Sequence, residues 1–200
     1  MALSALVLYL VFGLLGFGWR SWTHHRRTGS TGFHGISGRP GSVEWYAGIA
    51  FVIAVLAGIA APALQLAGVL MPLHPLDTPW IAAAGTVLAI TGIAATIYAQ
   101  YDMGESWRIG VDPGETTTLV RDGVFAIVRN PIFTAMGVFA TGITLMAPNP
   151  LALIALSTYI LAIELQVRVV EEPHLIRTHG DSYTNYTSTV GRFIPFVGRS

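Results

Sequence analysis

Residues 131–170 read PIFTAMGVFATGITLMAPNPLALIALSTYILAIELQVRVV and carry only two charged side chains, Glu164 and Arg168. A helix needs about 20 mainly apolar residues to cross the hydrocarbon of a bilayer. Two such runs, 131–147 and 151–170, are separated here only by Pro148, Asn149 and Pro150. A link that short forces an antiparallel helical hairpin. Pro131 opens the first run, and proline is well placed in the first turn of a helix, where its missing N–H is no loss.

Three more apolar runs precede the hairpin, at 2–19, 45–71 and 79–101, the second long enough to tilt or to be interrupted near Pro62. The segment 102–130 is too hydrophilic to span. Composition agrees with a membrane chain: 52% of the residues are hydrophobic, 11% are charged, and the mean hydropathy is +0.58. A soluble domain of this size has to leave much of its surface in water and holds about a quarter charged residues. With no cysteine, disulfides, thiolate nucleophiles and cysteine metal sites are excluded. The net charge of zero, with no strongly basic face, argues against nucleic acid as a partner.

The basic residues are all arginine. Arg20, Arg26, Arg27 and Arg39 follow the first run. Arg108, Arg121 and Arg129 follow the third, and Arg168, Arg177, Arg192 and Arg199 lie at or beyond the end of the fifth. Positive charge collects on the cytoplasmic side of membrane proteins. The expectation is therefore an all-α integral membrane protein of five transmembrane helices, N-terminus outside. The positive charge of a signal peptide would precede the first run, so that run reads as a retained anchor. Residues 1–101 form three helices with a cytoplasmic loop at 20–44. In that loop Gly29, Gly32, Gly35, Gly38 and Gly41 recur every third residue, the composition of a flexible linker.

The polar chemistry is then cytoplasmic and falls into three clusters. Glu164, Arg168, Glu171 and Glu172 are spaced to form one helical stripe, after which Pro173 is expected to break the helix. A carboxylate near hydrocarbon depth normally faces the bundle with a partner, and Arg168 is placed to be that partner. Arg129 stands just before a helix N-terminus, where free N–H groups suit an anion or where the arginine anchors the helix at lipid headgroups. Tyr183 and Tyr186, three apart, share a face if their segment is helical. No phosphate loop, dinucleotide fingerprint or HExxH is present. His24 and His25 are adjacent and His174 and His179 five apart, spacings that do not hold one metal.

Taken in order, Leu119-Val120, Gly123, Arg129-x-Pro131, Glu171-Glu172, Leu175, Gly180, Tyr183, Tyr186 and Arg192-Phe193-x-Pro195 resemble the isoprenylcysteine carboxyl methyltransferase family. The phospholipid N-methyltransferases belong to the same wider group. The resemblance covers 102–197 and implies a methyltransferase region over 102–200, with a hairpin at 131–170 and a cytoplasmic segment, 171–200, closing a pocket for S-adenosylmethionine. It implies cofactor contacts from Thr117, Thr118, Leu119, Val120, Phe125, Asn130, Pro131, Ile132, Phe133, Glu171, Tyr183 and Tyr186. Arg168 matches the family's substrate-side arginine within one residue of register. Arg129 with Glu171 or Glu172 would meet the charged end of the cofactor. The implied acceptor is a lipophile reaching the site from the bilayer, and no metal is required. Two positions depart from the family, Asn130 replacing its histidine and Phe125 its tyrosine. Asparagine keeps a hydrogen bond but does not titrate near neutrality. A reductase using NADPH and a non-catalytic membrane scaffold are the alternative readings. The arginine-only, Ala- and Gly-rich usage suggests a prokaryotic plasma membrane.

Overall fold

The structure is a computed structural model and describes residues 1–200 except 30, 32–34, 37 and 105–118. Thr117, Thr118, Arg108 and Gly32 therefore lie outside the described residues. Among those described, the regular elements are helical and the only strand-like pairing is a parallel bridge between Val128 and Gly191.

Among the described residues, four helices are long and apolar enough to cross a membrane: α1 (Ala2–Arg26), α2 (Val43–Leu66), α3 (Pro79–Asp102) and α5 (Pro150–His179). Between the last two lies α4 (Pro131–Met146), apolar but only 16 residues long. That is about 24 Å of helix against a hydrocarbon core of about 30 Å. A short helix, α6 (Asp181–Thr189), completes the set.

Local chemistry sets the helix starts. Ser42 Oγ, Thr78 Oγ1 and Asn149 Oδ1 accept from Trp45 N, Ile81 N and Ala152 N at 3.1, 3.4 and 3.0 Å, capping α2, α3 and α5. Prolines 79, 131 and 150 take the first turns of α3, α4 and α5. Asn149 also ties the hairpin tip to α2, donating to Ala61 O at 3.1 Å and Gln65 Oε1 at 2.8 Å. α2 runs through Pro62 without interruption.

The core forms where α3 lies along α4 and α2 along α5. Glycines bring the first pair into backbone contact. A Cβ on Gly142 would stand 2.4 Å from Ala89 N, and one on Gly92 2.5 Å from Phe139 N. α1 closes over this pair through Phe12, stacked on Phe139 with centroids 4.1 Å apart. The outward faces remain apolar, with Ile53, Leu56, Ile90 and Ile154 exposed toward lipid.

Three expectations are corrected. Helix continues through Arg20–Thr28, residues expected in the first loop. Arg20 explains this: its guanidinium is buried against the end of α3, with Nη2 donating to Gln100 O at 3.1 Å and Gly104 O at 2.7 Å. Gln100 Nε2 returns a bond to Gly16 O at 2.8 Å, so α1 is held to α3 from both sides. Second, Pro173 does not break α5. A π-helical stretch, Gln166–Glu171, widens the helix just before it, and the helix continues to His179. The chain turns at Gly180, whose φ of 51° suits glycine.

The π-helical stretch also undoes the single stripe, the third correction. A π turn takes more residues than an α turn, so positions beyond it rotate around the axis. Arg168 Nε still pairs with Glu164 Oε2 one turn away, both side chains more than a third exposed. Glu172 instead points toward the residues preceding α4 and the C-terminal segment.

Candidate functional site

The site begins where α3 ends. Asp102 Oδ2 accepts from Val124 N at 2.8 Å and fixes a single 3-10 turn, Gly123–Ala126. Gly123 has φ 57°, and a Cβ there would stand 2.1 Å from Asp102 Oδ2, so only glycine fits. The turn buries Phe125, whose carbonyl accepts from the Tyr186 hydroxyl.

Residues 128–130 then run beside the C-terminal segment. Arg129 N donates to Gly191 O at 2.8 Å and Asn130 N to Arg192 O at 3.1 Å. Asn130 Nδ2 donates to the same Arg192 carbonyl at 3.2 Å, and Thr134 Oγ1 to Phe193 O at 2.9 Å. The amide of Asn130 therefore serves as a docking donor for the main chain, a task that needs no titration.

At the centre, Glu172 accepts from two arginines. Its Oε1 lies 2.7 Å from both Arg129 Nη2 and Arg192 Nε, and its Oε2 lies 2.9 Å from Arg192 Nη2. Arg129 spends its other Nη donors on carbonyls, with Nη1 to Val190 O and Thr187 O at 2.7 and 3.0 Å and Nη2 to Gly198 O at 3.1 Å. Its side chain is 1% exposed. Charge-assisted bonds of this kind are about twice as strong as neutral ones. They fasten α5, the residues before α4 and the C-terminus into one unit. Arg129 Nε is buried with no hydrogen-bond partner.

Tyr183 and Tyr186 are buried on one face of α6, their rings 6.1 Å apart. Burial pushes the Tyr186 phenol up to about 12. Burial first, and then the charge of Glu172, raise Tyr183 further above its ordinary value. An unfolded tyrosine titrates near pH ~10. Between that pH and about 12 the unfolded chain gives up the Tyr186 proton while the folded chain keeps it, so stability falls as pH rises through this window. Tyr186→Phe is expected to flatten that alkaline decline, measured as unfolding midpoints across the window. An unchanged slope would show that this phenol does not control it.

A groove of about 420 Å³ opens between α4 and α5. Its long walls are apolar, with Phe133, Leu156, Tyr159 and Ile163 among them, and Tyr159 is held by donating to Phe133 O at 2.7 Å. Its end carries Glu164, Arg168 and Arg192. An amphiphile with an apolar tail and a polar head fits this chemistry.

The expected residues therefore divide. Arg129, Asn130 and Glu172 meet at the arginine–glutamate centre, Phe125 and Tyr186 join behind it, and Phe133 and Arg168 line the groove. Leu119, Val120, Ile132 and Glu171 are partly buried and Pro131 is buried. Arg192 belongs to both the centre and the groove but was not among the expected site residues. Its signal was the closing Arg192-Phe193-x-Pro195, read only as part of a pattern. Asp102 gave no signal at all. Among the described residues, no group of three or more His, Asp or Glu is placed to hold a metal.

Comparison with known proteins places these features in context. The family model for phospholipid methyltransferase matches residues 80–182. Protein-S-isoprenylcysteine O-methyltransferase of Rattus norvegicus is 26% identical over 120 residues, covering 59% of this chain and 42% of the relative. Protein-S-isoprenylcysteine O-methyltransferase B of Arabidopsis thaliana is 28% identical over 120 residues, covering 59% and 61%. The chain thus spans about half the length of the curated relatives it matches. The fold is similar to that of the eukaryotic intramembrane Ras methyltransferase ICMT, with a TM-score of 0.54 at 23% identity, over 76% of this chain and 52% of that one.

Proposed function

Because the chain belongs to the phospholipid methyltransferase family, we propose that it is an integral membrane, S-adenosylmethionine-dependent methyltransferase with a lipophilic acceptor. The observation that carries the reading is the groove, apolar along its length and charged at the end that adjoins the Glu172 centre. An acceptor's tail would lie between α4 and α5, and its polar head would meet Arg168 and Arg192.

The residues present suit the cofactor. Glu171, half-buried at the end of the π-helical stretch, offers an acceptor for an ammonium, and the unpartnered Nε of Arg129 offers a donor at a buried site. Leu119 and Val120 would add main-chain contacts. S-adenosylmethionine supplies a methyl group already activated on sulfonium, so the protein contributes alignment and exclusion of water. Glu172 is a positioning residue in this scheme, because its bonds go to Arg129 and Arg192, which would meet the cofactor and the acceptor's head. Arg168, exposed at the groove's end, would orient the acceptor.

In the same scheme α4 is the fifth span, shorter than the bilayer core and accommodated by local thinning at modest cost. All arginines then face the cytoplasm with the site. The acceptor proposed is a small lipid, quinone-like or polyprenyl compound of a prokaryotic plasma membrane rather than a prenylated protein, in keeping with the arginine-only, Ala- and Gly-rich residue usage. Transfer of a tritiated methyl group from S-adenosylmethionine to an extractable lipid, by purified protein supplied with a membrane lipid extract, tests the reading. Label in the lipid phase is expected. Label that stays in the aqueous phase, with cofactor binding intact, would exclude a lipophilic acceptor.

A further inference from the structure

The C-terminal turn at 194–197 exposes three large apolar side chains in four positions: Ile194 at 60%, Phe196 at 76% and Val197 at 58%. The turn is rigidly built. Arg192 N donates to Val197 O at 2.8 Å and Val197 N to Ile194 O at 3.1 Å. The chain folds so tightly over Gly191 that a Cβ there would lie 2.1 Å from Ile194 O. Phe196 is the only residue other than glycine with positive φ among those described, at 69°. A bulky residue held in the left-handed region is strained, and such strain persists where the surrounding structure enforces it and where it serves a purpose. Here it presents an aromatic ring outward.

Two further observations say what the ring faces. Ile194 and Val197 line the same groove as Ile160 of α5, which is itself 51% exposed on the outer surface of a spanning helix. The turn is therefore continuous with a lipid-facing surface, near the level where α5 gives way to Glu164 and Arg168. The Arg199 guanidinium lies 4.7 Å over the Phe196 ring. An apolar body beneath a cationic cap matches the boundary between acyl chains and phosphates, where aromatic rings and snorkelling arginines concentrate.

We propose that the turn 194–197 is embedded in the headgroup–acyl boundary of the bilayer, Phe196 deepest and Arg199 at the phosphates, forming a fixed post at the groove's mouth. The C-terminal segment is then a membrane-contacting element rather than a wholly aqueous one. A lipophile entering the groove would pass beside it without leaving the bilayer.

The chain has no cysteine, so Phe196→Cys creates a unique labelling site. A nitroxide there, in nanodiscs of phosphatidylcholine and phosphatidylglycerol, is read by relaxation with oxygen, which concentrates in lipid, and with a water-soluble nickel chelate. Ser188→Cys, exposed on α6, is the aqueous control. The expected result is strong oxygen relaxation and a loss of nickel relaxation at 196 relative to 188. Nickel relaxation equal to that at 188 would overturn the proposal. So would a label shielded from both reagents with spin–spin broadening, which would mean that a second copy of the chain covers the turn. Ile194→Cys, with no positive φ to satisfy, gives the same reading should Phe196→Cys disturb the turn. None of these readouts depends on methyl transfer, so a negative result leaves the proposed function standing.

Discussion

Glu172→Ala is expected to cost about 3–5 kcal/mol of stability, the penalty of stripping a counterion from buried charge. Glu172 takes three bonds from Arg129 and Arg192, and the Arg129 side chain is almost wholly enclosed. Removing the carboxylate leaves two guanidinium groups close together with no anion between them. Arg129 is kept from turning to water by its Nη donors, which hold the Thr187, Val190 and Gly198 carbonyls. The loss should appear first as release of the C-terminal segment. Trypsin cleavage at Arg192 is therefore expected to accelerate well below the temperature at which the bundle unfolds. Glu172→Gln should be less damaging, because its amide oxygen can still accept from Arg129 Nη2 and Arg192 Nε while its NH2 faces only Arg192 Nη2. Intact protection of Arg192 in Glu172→Ala would mean that the centre does not fasten the C-terminus.

Gly142→Ala is expected to destabilise the bundle by up to about 3 kcal/mol, through overpacking that no rotamer change relieves. The added Cβ would meet main chain, 2.4 Å from Ala89 N and 2.6 Å from Gly85 O, so α3 and α4 must move apart. Their close approach supplies dispersion contact in a solvent where no hydrophobic force holds helices together. Gly137→Ala on the same helix is the control. Its Cβ would lie 3.5 Å from Tyr159 Cε1, an ordinary contact, and alanine gains up to about 1 kcal/mol of helix propensity over glycine. Opposite signs for these two substitutions in detergent unfolding are expected. Equal effects would mean that the α3–α4 contact is looser than described.

The apolar spans were legible because a window of hydrophobic residues reports its solvent without reference to partners. The hairpin was legible because Pro148-Asn149-Pro150 leaves no room for another connection. What stayed hidden depends on partners distant in the chain. The π-helical stretch at Gln166–Glu171 has no composition signal, and by accommodating Pro173 it turned an apparent break into continuous helix. It also moved Glu172 out of register with Glu164, toward Arg129 and Arg192. Arg20, the residue directly after the last apolar residue of its run, read as a loop charge until the carbonyls ending α3 claimed it. Asn149, read as part of a short link, is a fully buried tie to α2. Asn130, a departure from the family pattern, acts through a side-chain hydrogen bond to main chain.

The proposed function requires a cofactor cup for S-adenosylmethionine with Glu171 as its carboxylate. Calorimetric titration of detergent-purified protein with S-adenosylmethionine and S-adenosylhomocysteine, with NADPH alongside, tests it most directly. Saturable binding of the first two and none of NADPH is expected. Glu171→Ala should weaken that binding by roughly 10- to 100-fold, the worth of one charge-assisted hydrogen bond, while the unfolding temperature is retained. Unchanged affinity in Glu171→Ala would contradict the assignment of that carboxylate, and binding of NADPH in place of S-adenosylmethionine would contradict the account as a whole.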